Sequence, residues 1–365
     1  MRAAILRDYG EPLAVRELPD PEPASDGAVV RVDACGVCRS DWHAWSGHGE
    51  WADDRVSRGQ VLGHEPAGEV VAVGDEVDRF RPGDRVVVPF SLGDGTCPHC
   101  RRGAGNVCED GRALGFEAAA PGAFAERVAV PAADYNLVER PEWLGATAAA
   151  ALGCRYMTAY HALAERTTVG GGDAVAVHGC GGVGLSAVQI AAALGARVIA
   201  VDVDDAALSL ARDLGAAETV NPTAADAGAA TEDGGTAGTV PERVRDLTDG
   251  GADVSLDALG IAETCRNSVR SLRPRGTHVQ VGLTTDAERG EVSLPTDWMT
   301  RWEISFLGSR GMPPTSYPDL FALIEATGID PGGLVARELS LSEISDRLAA
   351  MDEYDVRGVE VVTEF

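Results

Sequence analysis

The chain has 365 residues, 45% of them hydrophobic, which suits two packed domains better than one. Its formal net charge is −26, and all 31 basic residues are Arg. Phosphate contacts need clusters of Lys and Arg, so this balance excludes nucleic-acid binding.

No apolar run is long and charge-free enough to span a bilayer. The opening MRAAILRDYG lacks the apolar core of a signal peptide. Both points lead to the expectation of a cytoplasmic protein with no membrane partner. The acidic residues are dispersed along the chain, with no acidic tail. Such a surface stays hydrated in concentrated salt, where the Debye length falls to roughly 3 Å, and this predicts a halophilic protein. The eight cysteines fit reduced ligands and buried thiols better than a disulfide framework.

In chain order, residues 1 to about 150 are rich in Gly, Pro and short β-branched runs. Strands are expected at the N-terminus and over 29–33, 69–73 and 85–89, the last fed by a turn, giving a mostly β domain. From about 155 the pattern becomes strand–helix alternation. It predicts a strand over 173–178, a helix over 183–194 closed by Gly195, and a strand over 197–202. A helix over 204–214 closed by Gly215 and strands over 253–257 and 277–282 follow. This is the βαβ grammar of a doubly wound sheet. Residues 223–239 lack periodicity and read as a surface loop. Helical patterns over 318–327 and 341–351 precede a last strand over 358–363, expected to return to the first domain. The predicted domains are therefore 1–154, 155–308 and a returning segment 309–365.

Two motif groups carry chemistry. CGVCRSDWH at 35–43, GHE at 63–65 and LGC at 152–154 supply a thiolate, an imidazole and a second thiolate. Three such ligands hold one Zn²⁺ with a position left open. GCGGVG at 179–184, then Asp202, is a dinucleotide fingerprint. In it Gly179 permits the tight turn, Gly181 lets backbone approach a pyrophosphate, and Gly184 allows close helix–strand packing. The helix beginning near Gly182 and Val183 offers its N–H groups to phosphates. Asp202 accepts hydrogen bonds from ribose hydroxyls and repels a 2′-phosphate, which favours NAD over NADP. The plainer reading of Asp202 is a helix N-cap.

Together these residues resemble the zinc-dependent medium-chain alcohol dehydrogenases, over nearly the whole chain and in the same motif order. The resemblance implies an α/β fold, with a GroES-like mostly β catalytic domain and a Rossmann dinucleotide-binding domain. It implies Cys38, His64 and Cys154 as catalytic zinc ligands, with Glu65 a carboxylate able to approach the metal. Cys35 is then structural. Ser40 and His43 form a proton relay, Asp41 orients His64, and Arg39 reaches the pyrophosphate. Thr158 and the segment from Val281 to Leu283 contact nicotinamide. Phe90 walls the substrate pocket, and Trp45 or Trp51 adds a wall or packs in the core.

Asp94, Cys97, Cys100 and Cys108 stand where the family pattern has four structural-zinc cysteines. Asp94 departs from it, so this lobe holds a second zinc through three thiolates and a carboxylate, or has lost its metal. His99 is poorly placed to be the fourth ligand. The reading is reversible hydride transfer between a primary or secondary alcohol and NAD, in a homodimer or homotetramer. The alternatives are a polyol, sugar or threonine dehydrogenase of the same fold, a zinc-free quinone-reductase-like relative, or a non-catalytic dinucleotide-binding protein.

Overall fold

The computed structural model describes residues 1–48, 56–223, 238–285, 287–352 and 358–365. The chain divides into two compact units, Thr158–Arg310 and a discontinuous unit of Met1–Met157 with Gly311–Phe365. The residues predicted as a loop over 223–239, and Trp51, lie mostly or wholly outside the described residues.

In the unit Thr158–Arg310 six parallel strands form one sheet: Ala174–His178, Arg197–Val201, Glu218–Val220, Ala252–Asp257, Leu272–Gln280 and Ser305–Gly308. Numbered by sequence, their spatial order is third, second, first, fourth, fifth, sixth. That is the doubly wound order, which opens a ligand crevice at the carboxyl ends of the first and fourth strands. The first strand, AVAVH, is an almost wholly buried and mostly apolar run, as suits a central parallel strand. Helix Gly182–Ala193 follows it and buries every residue from Gly184 to Ala191. The chain then turns at Gly195, whose φ is +89°, a left-handed conformation that glycine adopts freely. Helix Asp205–Asp213 follows the second strand. Its N-cap is Asp204, which accepts from the Ala206 N–H at 2.9 Å. The fifth strand starts five residues before the predicted 277 and ends before Val281.

In the other unit the main sheet is antiparallel for most of its width. Its longest strand, Ala28–Val37, pairs with Glu65–Val73 and Arg127–Val130. The last strand, Val359–Glu364, pairs antiparallel with Ala28–Val37, so the C-terminal segment completes this sheet. The predicted helix over 341–351 begins as a 3₁₀ turn, Leu341–Glu343, and is α-helical over Ile344–Ala350. Two of the paired strands deliver ligands: Ala28–Val37 runs into Cys38, and Glu65–Val73 begins just after His64. No helix among the described residues is long and apolar enough to cross a membrane.

Candidate active site

Cys38 is the N-cap of helix Arg39–Ser46, held by side chains of the following turn. Its N–H donates to Asp41 Oδ2 at 2.9 Å. The other oxygen of Asp41 accepts from the Gly63 N–H at 3.1 Å and lies 2.9 Å from His64 Nδ1. One buried carboxylate therefore fixes two candidate ligands, and His64 keeps its proton on Nδ1. Burial alone draws the His64 pKa down, but the Asp41 carboxylate overcomes this and holds it well above the usual imidazole value.

With Nδ1 committed, Nε2 of His64 is buried and has no hydrogen-bond partner among the described residues. One ligand atom each from Cys38, His64, Glu65 and Cys154 all lie within 4.8 Å of one another. The hydrogen bond from Cys154, with help from His64, draws the Cys38 thiol well below its ordinary pKa despite its burial. A buried imidazole nitrogen without a partner among the described residues, gathered with two sulfurs, fits Zn²⁺.

Glu65 is constrained on both oxygens. Oε1 accepts from the Cys154 N–H at 3.0 Å, and Oε2 lies 2.6 Å from Arg155 Nη2, with both side chains buried. Burial pushes its pKa up to about 7 against the opposing pull of Arg155. Two glycines make room for it. A Cβ on Gly36 would overlap Glu65 Oε2, and one on Gly153 would overlap the Glu65 stem. Gly153 also breaks the helical run, with φ −46° and ψ −123° inside the π-turn Leu152–Tyr156. The sequence reading missed Arg155, Gly36 and Gly153. The one available signal was an Arg directly after a candidate ligand.

Ser40 Oγ lies 3.9 Å from Cys38 Sγ. His43 Nδ1 is 3.3 Å from His48 Nδ1, a second imidazole that the reading had not singled out. Arg39 donates to the Met351 carbonyl at 2.7 Å and lies over the Trp42 ring at 4.1 Å. Phe90 stands edge-on to His64 with centroids 5.7 Å apart, and Phe116, unmentioned in the sequence reading, is closer at 4.8 Å. Trp45 is buried and its indole N–H donates to the Glu11 carbonyl, which fits core packing. The Cys35 thiol is buried, and desolvation pushes it well above its usual pKa.

The second cluster is also assembled. Ligand atoms of Asp94, Cys97, Cys100 and Cys108 lie within 4.8 Å of one another. Asp94 Oδ1 accepts the N–H groups of Cys97 at 2.9 Å and Thr96 at 2.8 Å, and this holds its pKa well below the usual carboxylate range. Cys97 and Cys108 sulfurs are 3.7 Å apart. His99 instead pairs with Glu109 at 3.6 Å. A carboxylate and three sulfurs at this spacing fit a tetrahedral zinc.

In the unit Thr158–Arg310 the fingerprint has the geometry its glycines require. Gly179 has φ +91°, and a Cβ on Gly184 would overlap the Gly179 carbonyl. A Cβ on Gly181 would meet no atom, so the space beside that backbone is open to a ligand. Gly182 and Val183 open the helix whose N-cap is Gly181. Asp202 is not the N-cap. Its Oδ2 accepts from the Cys180 N–H at 2.6 Å and its Oδ1 from the Asp204 N–H at 2.9 Å, so it ties the fingerprint turn to the second strand. The Thr158 hydroxyl is buried without a partner among the described residues. Val281 and Gly282 N–H groups donate to the Asp257 carbonyl, and Leu283 is exposed.

Residues 24–142 match the family model for the alcohol dehydrogenase GroES-like domain, and residues 182–326 that for the zinc-binding dehydrogenase domain. An NAD-dependent alcohol dehydrogenase from Sulfurisphaera tokodaii is 31% identical over 99% of both chains. A sorbitol dehydrogenase from Halalkalibacterium halodurans is 31% identical over 94% of both. Among solved structures, the alcohol dehydrogenase TADH from Thermus sp. ATN1 superposes with a TM-score of 0.87 at 31% identity, covering 99% of both chains.

Proposed function

The chain belongs to the zinc-dependent medium-chain alcohol dehydrogenase family and is an oxidoreductase acting on alcohols, and from that premise we propose that it transfers hydride reversibly between a primary or secondary alcohol and NAD. The observation that carries the proposal is the unpartnered, buried His64 Nε2 beside Cys38 and Cys154. Zinc held there would supply Lewis acidity to the alcohol oxygen.

The chain's own residues do the rest. The Ser40 hydroxyl relays the alcohol proton, accepting it while passing its own on through the cofactor's ribose hydroxyls, and His43, with His48 beside it, releases it to solvent. Asp41 keeps His64 in the metal-binding tautomer. Glu65, pinned by Arg155, stays close enough to the sulfurs to exchange with a metal ligand. Within the unit Thr158–Arg310 the fingerprint turn takes the pyrophosphate, Asp202 the ribose, and Thr158 with residues 281–283 the nicotinamide. The rings of Phe90 and Phe116 beside His64 favour apolar alcohols; the likeness to a sorbitol dehydrogenase keeps polyols as the second substrate class.

The acidic, Lys-free composition supports a halophilic, cytoplasmic enzyme. The exposed outer strand Ser305–Gly308 supports assembly into a dimer or tetramer through that sheet edge.

The test is zinc per chain together with NAD-dependent oxidation of a panel of simple alcohols and polyols in high salt. About two zincs with activity supports both clusters, and about one leaves the Asp94 lobe empty. Folded protein that takes up no zinc and oxidises nothing overturns the proposal.

A further inference from the structure

A row of polar side chains crosses the sheet of the unit Thr158–Arg310 where its strands end. Gln280 is paired in register with Asp257, and His278 with Ser255, so all four project from one face of the sheet. Helix Ala262–Arg270 packs on the strands that carry them and supplies Ser268 and Thr264.

The row has one consistent direction. Gln280 Nε2 lies 3.0 Å from Asp257 Oδ2 and 2.8 Å from the Gly282 carbonyl. Both are acceptors, so the amide nitrogen must point there and Oε1 must face the other way. Oε1 then accepts from His278 Nε2 at 3.0 Å. That leaves His278 Nδ1 to accept from the Ser268 hydroxyl at 2.8 Å, and Ser268 to accept from Ser255 at 2.7 Å. Every member is satisfied, and a fully connected buried network fixes one arrangement of its backbone.

Asp257 is the hub. Its Oδ1 accepts the N–H groups of Leu259 at 3.0 Å and Gly260 at 3.1 Å and the Thr264 hydroxyl at 3.0 Å. Its carbonyl accepts from the Val281 and Gly282 N–H groups at 3.1 and 2.9 Å. The turn after the fourth strand and the turn after the fifth are thus fastened to one residue. They also interlock. A Cβ on Gly282 would overlap the Gly260 nitrogen, and one on Gly260 would overlap the Leu283 carbonyl. The fingerprint turn leans on the same assembly, since a Cβ on Gly179 would lie 3.3 Å from Leu259 Cβ. These turns rim the carboxyl edge of the sheet, where ligands of doubly wound folds bind.

We infer that Asp257 and Gln280 are positioning residues for the nicotinamide half of the dinucleotide: they set the backbone of residues 281–283, while the adenosine half depends on Asp202 and the fingerprint. The inference rests on the dinucleotide reading above.

The test compares NADH, which carries the nicotinamide ring, with ADP-ribose, which lacks it, on the full chain in high salt. Gln280→Met keeps the side chain's length and removes its hydrogen bonds. It is expected to weaken NADH about tenfold and ADP-ribose less than about twofold. A purely structural role would weaken both ligands alike. Thr264→Val, nearly isosteric, removes one donor from the hub and serves if the first variant does not fold; a loss of about threefold for NADH alone is expected. Wild type that binds both ligands, with a folded variant that loses neither or loses both equally, overturns the positioning role alone. Wild type that binds neither overturns the dinucleotide reading, and the positioning role falls with it.

Discussion

Arg155 Nη2 lies 2.6 Å from Glu65 Oε2 in the same buried cluster as Cys38 and Cys154. The guanidinium arrives on the residue directly after Cys154, so one distorted helical turn delivers both a sulfur and the cation that offsets the local negative charge. Removing one partner of a buried ion pair leaves the other uncompensated, typically at about 3–5 kcal/mol. Arg155→Met is therefore expected to lower unfolding free energy by about that much and to loosen metal retention. Denaturant melts of the zinc-loaded protein and metal content after dialysis check this. A variant as stable as wild type, with undiminished zinc, would show that the pair does not hold the site.

Asp41 binds three groups at once: the Cys38 N–H, the Gly63 N–H and His64 Nδ1. Asp41→Asn keeps the shape but turns an amide NH₂ toward at least one of these donors. Loss of such an outer partner of a metal-bound histidine usually weakens metal affinity about 10–100-fold. Competition with a zinc chelator measures it, and unchanged affinity would remove Asp41 from the site.

Asp202 accepts two backbone N–H groups within its own unit, in addition to the ribose contact proposed for it. Asp202→Gly should therefore relax the preference for NAD over NADP and also weaken both cofactors, because the fingerprint turn loses its tether at Cys180. The kcat/KM ratio for the two cofactors reads the first effect and the individual KM values the second. A ratio equal to wild type would reject the ribose role.

The net charge of −26 makes a claim about salt. Like-charge repulsion is strong at low ionic strength, where the Debye length is about 30 Å at 0.01 M, and is screened to about 3 Å at 1 M. The Tm is expected to rise steeply with added salt. A Tm independent of salt would count against the halophilic reading.

The fold was legible because its signals are local. Short apolar runs, glycines closing helices and the spacing of the fingerprint each act over a few residues, and they give four of the six strands of the parallel sheet; the three-residue Glu218–Val220 and the exposed outer strand Ser305–Gly308 carry no such buried run and were not expected. That Cys38, His64 and Cys154 gather in one cluster was legible for a different reason: residue type restricts metal chemistry severely. What stayed hidden is long-range. Nothing near Glu65 in sequence announces Arg155, 90 residues away. Gly36 and Gly153 look like ordinary turn or strand glycines until the volume of Glu65 is placed against them. Phe116 beside His64 is a long-range contact, and the polar row from Ser255 to Asp257 is a consequence of strand register. Asp202 stands one residue past the second strand, and the N-cap role weighed for it belongs to Asp204, which only the helix geometry decides.

His178 yields a pH prediction with a definite sign. It ends the first strand of the parallel sheet, is fully buried, and neither ring nitrogen has a partner among the described residues. Burial, with a smaller push from His278, draws its pKa from 6.5 down to about 3. The folded state thus resists protonation while the unfolded state accepts it below about 6.5. Stability contributed above that pH is lost progressively as pH falls toward 3, by roughly 1.4 kcal/mol per unit. Replacing the ring by a hydrocarbon removes this titration and sacrifices no hydrogen bond to a described residue. His178→Leu should lose less stability than wild type between about pH 7.5 and 5.5, by roughly 1 kcal/mol. Other groups titrating in the same window, Glu65 among them, cancel in the difference between the two proteins. Parallel melts at the two pH values give the comparison directly. Equal acid losses would show that His178 is already protonated in the folded state or is reached by solvent.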